Sequence, residues 1–193
     1  QFLFLRFQTG KFGKVDLAGR YHPGTAASKI HHLGICPAAG TRIDKHKQED
    51  QDACRLVKGL PEFLDELQRR NIKCNIATAS GLSNVDFYFE RFALAKWFDK
   101  SKLAYDDGTM RAKPAPDMYI RAMERIGAEP SETMVIEDSP SGVKAAVAAN
   151  AACIVGIYGD SDKKLLQNTG VCDYLIEDYT RNYIGYIERN LLE

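Results

Sequence analysis

From Gly59 onward the chain alternates short apolar runs with amphipathic stretches, the pattern of a parallel sheet covered by helices on both faces. Strands are predicted at 72–78 (Ile72, Cys74, Ile76, Ala77), 133–137 (Met134, Val135, Ile136), 152–157 (Cys153, Ile154, Val155, Ile157) and 173–176 (Tyr174, Leu175, Ile176). Helices fill the gaps between them. Pro61 suits a first helical turn ahead of Phe63, Leu64 and Leu67, because its missing N–H is one that a helix start leaves unpaired anyway. Asp117 to Ile126 sets Met118, Ile120, Ala122, Met123 and Ile126 in an amphipathic helix, and Ser139-Pro140 opens another over Val143 to Ala149. Phe87, Phe89 and Phe92 fit helix packing better than a stacking platform. Gln1 to Phe7 is apolar enough for a further, central strand.

Residues 11–58 stand outside this alternation. A helix over Ala26 to Leu33 and another over Asp44 to Val57, separated by the Gly- and Pro-containing stretch Gly34 to Gly40, read as an inserted helical cap. The expected fold class is therefore α/β: a doubly wound, Rossmann-like parallel sheet core built from 1–10 and 59–193, with the small cap at 11–58. At 193 residues and 45% apolar composition, one sizeable core is what the chain can bury.

Charge and cysteine content narrow the surroundings. The formal charge is zero, so no global field calls for nucleic acid or a membrane. Up to Ile43 the bases Arg6, Lys11, Lys14, Arg20, Lys29 and Arg42 face Asp16 alone, but they are scattered rather than gathered into a stripe, and nucleic acid is not the expected partner. His31 and His32 are adjacent, so on a helix they point about 100° apart and cannot chelate one ion together. Cys36, Cys54, Cys74, Cys153 and Cys172 are odd in number and lack Cys-x-x-Cys spacing, which suits reduced thiols and a cytoplasmic setting. The apolar run Phe2 to Phe7 is too short for a signal-peptide core, no run reaches membrane-spanning length, and a monomer is the default expectation.

In doubly wound sheets ligands sit at the carboxyl ends of the strands. Thr78, Ala79 and Ser80 end one predicted strand, Glu137 and Asp138 end another, and Lys113 lies in a Pro-flanked loop before a helix. Together they suit phosphoryl chemistry: carboxylates hold a hard cation, an ammonium neutralises phosphate oxygens, and a hydroxyl with neighbouring backbone N–H groups cradles the same phosphate. Singly, each has a plainer reading. Glu137-Asp138 could serve a helix dipole, Lys113 could be a solvated lysine, and Ala79, Ser80 and Gly81 could be only a strand-to-helix turn; their joint spacing favours the site.

These residues carry a resemblance to the haloacid dehalogenase superfamily, within it to the branch of β-phosphoglucomutase and the phosphoglycolate and sugar-phosphate phosphatases. The hydroxyl motif is Ile76-Ala77-Thr78-Ala79-Ser80, the lysine motif Lys113-Pro114-Ala115-Pro116-Asp117 and the acidic motif Glu137-Asp138-Ser139-Pro140-Ser141-Gly142, with Gly59-Leu60-Pro61 and Trp97-Phe98-Asp99 agreeing on the flanks. The resemblance implies that Thr78, with Ala79 and Ser80, binds the transferring phosphate, that Lys113 neutralises it, and that Glu137 and Asp138 bind Mg2+. The implied activity is Mg2+-dependent hydrolysis of a small phosphorylated metabolite such as a sugar phosphate, with a phosphomutase as an alternative.

The first family motif departs from the pattern. Family members place Asp-x-Asp-Gly-Thr after the first strand, supplying a nucleophile and an acid/base; here Phe2-Leu3-Phe4-Leu5 is followed by Arg6-Phe7-Gln8-Thr9-Gly10. On that alignment Arg6 and Gln8 replace the two aspartates, and neither can attack phosphorus or exchange a proton near neutral pH. Three readings stand: a member that binds phosphate and metal without turnover, Arg6 adding positive charge to its site; a motif upstream of Gln1; or an N-terminal stretch foreign to the natural protein. Tyr105-Asp106-Asp107-Gly108-Thr109 imitates the motif but reads as a turn, and Asp16 is a reserve nucleophile candidate with a surface carboxylate as its plain alternative.

Overall fold

The computed structural model describes the backbone of Phe2–Arg6 together with residues 55–158 and 163–181. Six strands form one sheet in the order β3-β2-β1-β4-β5-β6. They are β1 (Phe2–Arg6), β2 (Lys73–Thr78), β3 (Ala104–Tyr105), β4 (Thr133–Glu137), β5 (Cys153–Ile157) and β6 (Tyr174–Ile176). The helices are α1 (Leu60–Arg69), α2 (Leu82–Arg91), α3 (Asp117–Ile126), α4 (Pro140–Ala148) and α5 (Lys163–Gln167).

Alternation along the strands feeds two cores. On one face Ile76, Met134, Ile136, Cys153, Val155 and Ile157 pack against α1 and α2 through Leu60, Phe63, Leu64, Leu67, Val85 and Phe89. On the other, Ala77, Val135 and Ile154 meet α3 and α4 through Met118, Tyr119, Ala122, Met123, Val143 and Ala146. Met134 and Ile136 thus face one way and Val135 the other, as the period of two requires. Phe87 and Phe92 pack partly buried beside the first cluster, as their helical spacing predicts. Cys74, Cys153 and Cys172 are free thiols, and among the described residues no helix is long and apolar enough to cross a membrane.

Local chemistry sets the ends. Gly59 adopts φ 79 ahead of α1, and a Cβ there would stand 2.6 Å from the Tyr179 carbonyl carbon and 2.7 Å from the Thr180 nitrogen. Glycine lets the start of α1 dock against the segment after β6, where the Tyr179 N–H donates to the Lys58 carbonyl at 2.9 Å. Gly127, at φ 63, closes α3 in the left-handed cap that glycine favours.

Two expectations change. β2, β4, β5 and β6 run parallel in the predicted manner, but β1 pairs antiparallel with both neighbours, Leu3 opposite Ile76 and Ile136, and Arg6 opposite Lys73 and Thr133. The backbone of Arg6 therefore lies at the amino ends of β2 and β4, at the other end of those strands from Thr78 and Glu137, and does not stand in the nucleophile position. Apolar alternation fixes which face a strand buries, not which way it runs, and so the pattern left this open. The helix drawn over Asp44 to Val57 does not extend through 55–57, which are irregular. The remainder of that helix, the one at 26–33, the rest of the cap at 11–58, Gln8, Asp16, His31, His32, Cys36 and Cys54 lie outside the described residues.

Candidate functional site

β4 is buried along its whole length and carries Glu137, at 0% exposure, to its carboxyl end. The chain then turns through Asp138 into an extended Ser139, whose Oγ accepts from the Gly142 N–H at 3.1 Å and caps α4. Pro140 occupies the first helical position, where its ring fits and no N–H is needed. Glu137 Oε1 accepts from the Ser139 N–H at 2.9 Å and from the Ser139 hydroxyl at 2.6 Å. Its Oε2 accepts from the Tyr119 hydroxyl and from the Lys113 ammonium at 3.4 Å. A buried carboxylate held by that many donors is what burial of a charge requires.

Gly142 makes the arrangement possible. A Cβ on it would lie 2.0 Å from Glu137 Cδ and 2.2 Å from either carboxylate oxygen, so the Glu137 head occupies the volume a side chain would need.

The lysine loop is pinned from below. Arg111 grips Asp117, at the first turn of α3, through its backbone N–H at 3.1 Å and its guanidinium at 2.6 Å, and this holds the Asp117 carboxyl down to about 2. Lys113 then reaches inward with its side chain 10% exposed, its Nζ 5.2 Å from the centre of the Tyr119 ring. Burial lowers its pKa, opposed by the charges of Glu137 and Asp138. Asp138 is also buried, and its pKa is raised by desolvation and by Glu137 beside it. Burial raises the Tyr119 hydroxyl, as does the Glu137 charge, so it stays a donor.

Thr78 ends β2 at 2% exposure, and its Oγ1 accepts from the Ser80 N–H at 3.0 Å. Ala79 is exposed and Ser80 half-buried, and the Ser80 carbonyl accepts from the Asp106 N–H at 3.2 Å, tying this turn to the end of β3. β2 and β4 flank β1 in the sheet, so Thr78 and Glu137 share one edge about 9–10 Å apart, two strand spacings. The structure thus joins Lys113, Glu137 and Asp138 directly and sets Thr78 to Ser80 facing them across the start of β1.

The turn at 106–109 is as predicted: Asp107 Oδ1 accepts from the Thr109 N–H at 3.0 Å and its hydroxyl at 2.6 Å, while Arg121 holds Oδ2 at 2.8 Å. The sequence reading passed over Tyr119, and named Gly142 only as the end of the acidic motif, without its role in making room for Glu137. Tyr119 sits at helical spacing among Met118, Ala122 and Met123 and looks like core; the available signal was a hydroxyl on a buried face, which needs a partner.

Among the described residues no group of three or more His, Cys, Asp or Glu side chains is placed to hold a metal ion. Two buried carboxylates at one strand end nevertheless fit Mg2+, which takes one or two carboxylates and completes its octahedron with water and phosphate oxygens. Asp138 is the better placed, since both Glu137 oxygens already accept from protein donors.

A parallel α/β core with buried acids and a lysine at the strand ends defines a class of phosphate-handling folds, and the comparisons give the family. Residues 13–150 match the haloacid dehalogenase-like hydrolases, and the chain belongs to that family. It is 30% identical over 129 residues to the phosphorylated carbohydrates phosphatase of Thermotoga maritima, covering 65% of this chain and 59% of that protein. A haloacid dehalogenase hydrolase of family IA, variant 3, from Entamoeba histolytica superposes with a TM-score of 0.59 at 32% identity, covering 65% of this chain and 56% of that one. CbbY from Rhodobacter sphaeroides, in complex with phosphate, gives a TM-score of 0.57 at 25% identity over 65% of this chain and 55% of its own. The chain spans about three-fifths of the length of the Thermotoga phosphatase, at 59%.

Proposed function

We propose that this chain carries the phosphate site of a Mg2+-dependent phosphohydrolase acting on a small phosphorylated metabolite such as a sugar phosphate. The observation that carries the reading is the Lys113–Glu137 contact at 3.4 Å beside buried Asp138, on the strand edge shared with Thr78. In it Lys113 neutralises phosphate oxygens, Glu137 holds Lys113 in place, the Thr78 hydroxyl donates to the phosphate, and exposed Ala79 with half-buried Ser80 shapes the approach. Asp138, with Glu137 adjacent, would hold Mg2+, which when bound offsets charge on the phosphate. A relative named for phosphorylated carbohydrates supports the substrate class.

A second reading has its own support. Between Thr78 and Glu137 the antiparallel β1 brings its beginning, with Phe2 opposite Ala77, where the family has the end of a strand and its aspartate nucleophile. This favours a protein that binds phosphate and metal without turnover. Phosphate release from a panel of phosphorylated metabolites, measured with and without Mg2+ for the parent and Asp138→Ala, separates the two. Mg2+-dependent release lost in the variant supports hydrolysis; Mg2+ binding without release supports the silent site; Mg2+ behaviour unchanged in Asp138→Ala refutes the metal assignment in both.

A further inference from the structure

At the opposite edge of the sheet, where β2 begins, lies a groove of about 320 Å³, within the usual size for small-molecule pockets. It is about 15–20 Å from Thr78, the length of β2. Its walls include Leu64, Ile72, Ile126 and Trp97, and among the described residues its rim carries Lys73, Lys102 and Arg125 against the carboxylate of Asp99. We infer that this groove binds a small phosphate monoester with an apolar or aromatic ester group, independently of the phosphate site at the other edge.

Three observations lead there. The first is charge: among the described residues three cations to one carboxylate leave the rim positive, and Asp99 is already committed, accepting from the Ser101 N–H at 3.0 Å and its hydroxyl at 2.6 Å. The second is how loosely two of the rim cations and Gln68 are held, Arg125 alone being committed, to the Leu103 carbonyl. Lys73 Nζ reaches the Ile126 carbonyl only at 3.5 Å, Lys102 Nζ lies 3.6 Å from Asp99 Oδ2, and Gln68 Nε2 is 3.4 Å from the Lys96 carbonyl. Elsewhere on the surface similar groups bond at 2.5–2.6 Å, as in Lys100–Asp86 and Arg69–Glu66. Donors at such range gain by turning to an oxyanion within reach. The third is the aromatic wall. The Trp97 indole N–H is fixed on Asp65 at 2.6 Å, which orients the ring; the Lys96 ammonium stands over it, 4.7 Å from the ring centre, and the apolar surface that lines the groove is offered to an ester group, while buried Asn75 holds the floor through the Lys102 and Ala122 carbonyls at 2.7 and 3.0 Å. Two ammonium groups favour a dianion over a monoanion, and so a phosphate monoester over a carboxylate.

Trp97 is the single tryptophan of the chain, so its fluorescence reports on this groove. The test titrates phenyl phosphate, benzoate and benzyl alcohol into the chain in EDTA, where metal-dependent turnover is silent. The expected result is a saturable change with phenyl phosphate at a Kd on the order of 1 mM, weaker with benzoate, absent with benzyl alcohol and reduced by added salt. The Lys73→Ala/Lys102→Ala variant loses at least about tenfold in affinity, and Lys113→Met binds like the parent. The inference is overturned by any of four results: no saturable response; equal responses to phenyl phosphate and benzoate; a response lost in Lys113→Met and kept in the double variant; or a double variant that melts well below the parent without ligand, which would mean the lysines hold another part of the protein. Salt dependence in the parent needs no variant, so the charge argument remains testable if a substitution prevents folding.

Discussion

Gly142→Ala sets two effects of opposite sign against each other. Gly142 lies inside α4, and on helix propensity alone alanine is worth about 1 kcal/mol of added stability. Against this, the new Cβ falls 2.0 Å from Glu137 Cδ, and one of two things gives way. If Glu137 swings out, it leaves Ser139, Tyr119 and Lys113 in a buried site, and breaking such a pair costs about 3–5 kcal/mol, a net loss of about 2–4 kcal/mol. If α4 retreats, overpacking costs about 1–3 kcal/mol and the Ser139 cap about 1 kcal/mol more, a net loss of about 1–3 kcal/mol. Either route destabilises. Urea unfolding of the parent, Gly142→Ala, Glu137→Ala and the double variant measures it, and in the Glu137→Ala background the sign reverses: with the carboxylate gone, Gly142→Ala stabilises by about 1 kcal/mol. A Gly142→Ala protein as stable as the parent, or a loss that persists unchanged without Glu137, would falsify the placement of that carboxylate under α4.

Tyr119→Phe keeps the ring and deletes one donor to a buried carboxylate, so the variant folds but loses about 1.5–3 kcal/mol; a melting curve matching the parent would show that Glu137 does not depend on it. Burial raises the Cys74 thiol from 9.0 to about 12. The folded state therefore favours the neutral thiol, and its contribution is complete below 9.0 and fades as pH rises toward 12. Stability measured across that window falls more steeply for the parent than for Cys74→Val, and parallel curves would refute the assignment.

The strand at Thr133–Glu137 and the α3 helix at Asp117–Ile126 were legible because a buried apolar run rich in β-branched residues and helical spacing are patterns that few alternatives share, and the short apolar run predicted at 173–176 is found as Tyr174–Ile176. Ser139 and Pro140 were readable as a helix start because capping chemistry is local. The two-residue β3 and five-residue α5 are too short to display a period. At the site, Thr78, Lys113, Glu137 and Asp138 could be read from motif spacing, whereas Tyr119 and Gly142 act through contacts 18 and 5 positions away from themselves, fixed only once α3 and α4 are packed. The direction of β1 was beyond reach of the pattern, since an apolar pentapeptide reads alike from either end.

That direction gives β1 a role in assembly. β2 and β3 pair locally, as do β4, β5 and β6, but the two groups share no ladder of their own; each hydrogen-bonds to β1. The sheet is therefore two small blocks with one keystone, drawn from sequence positions far from both. Contacts of such separation close late in folding, because the intervening chain must be ordered before they form. Until β1 is seated, β2 and β4 each present a bare edge, the surface on which strands of separate molecules join. Their amide hydrogens facing β1 exchange on the timescale of its docking, which makes the arrival of one five-residue strand the event that turns two edges into an interior.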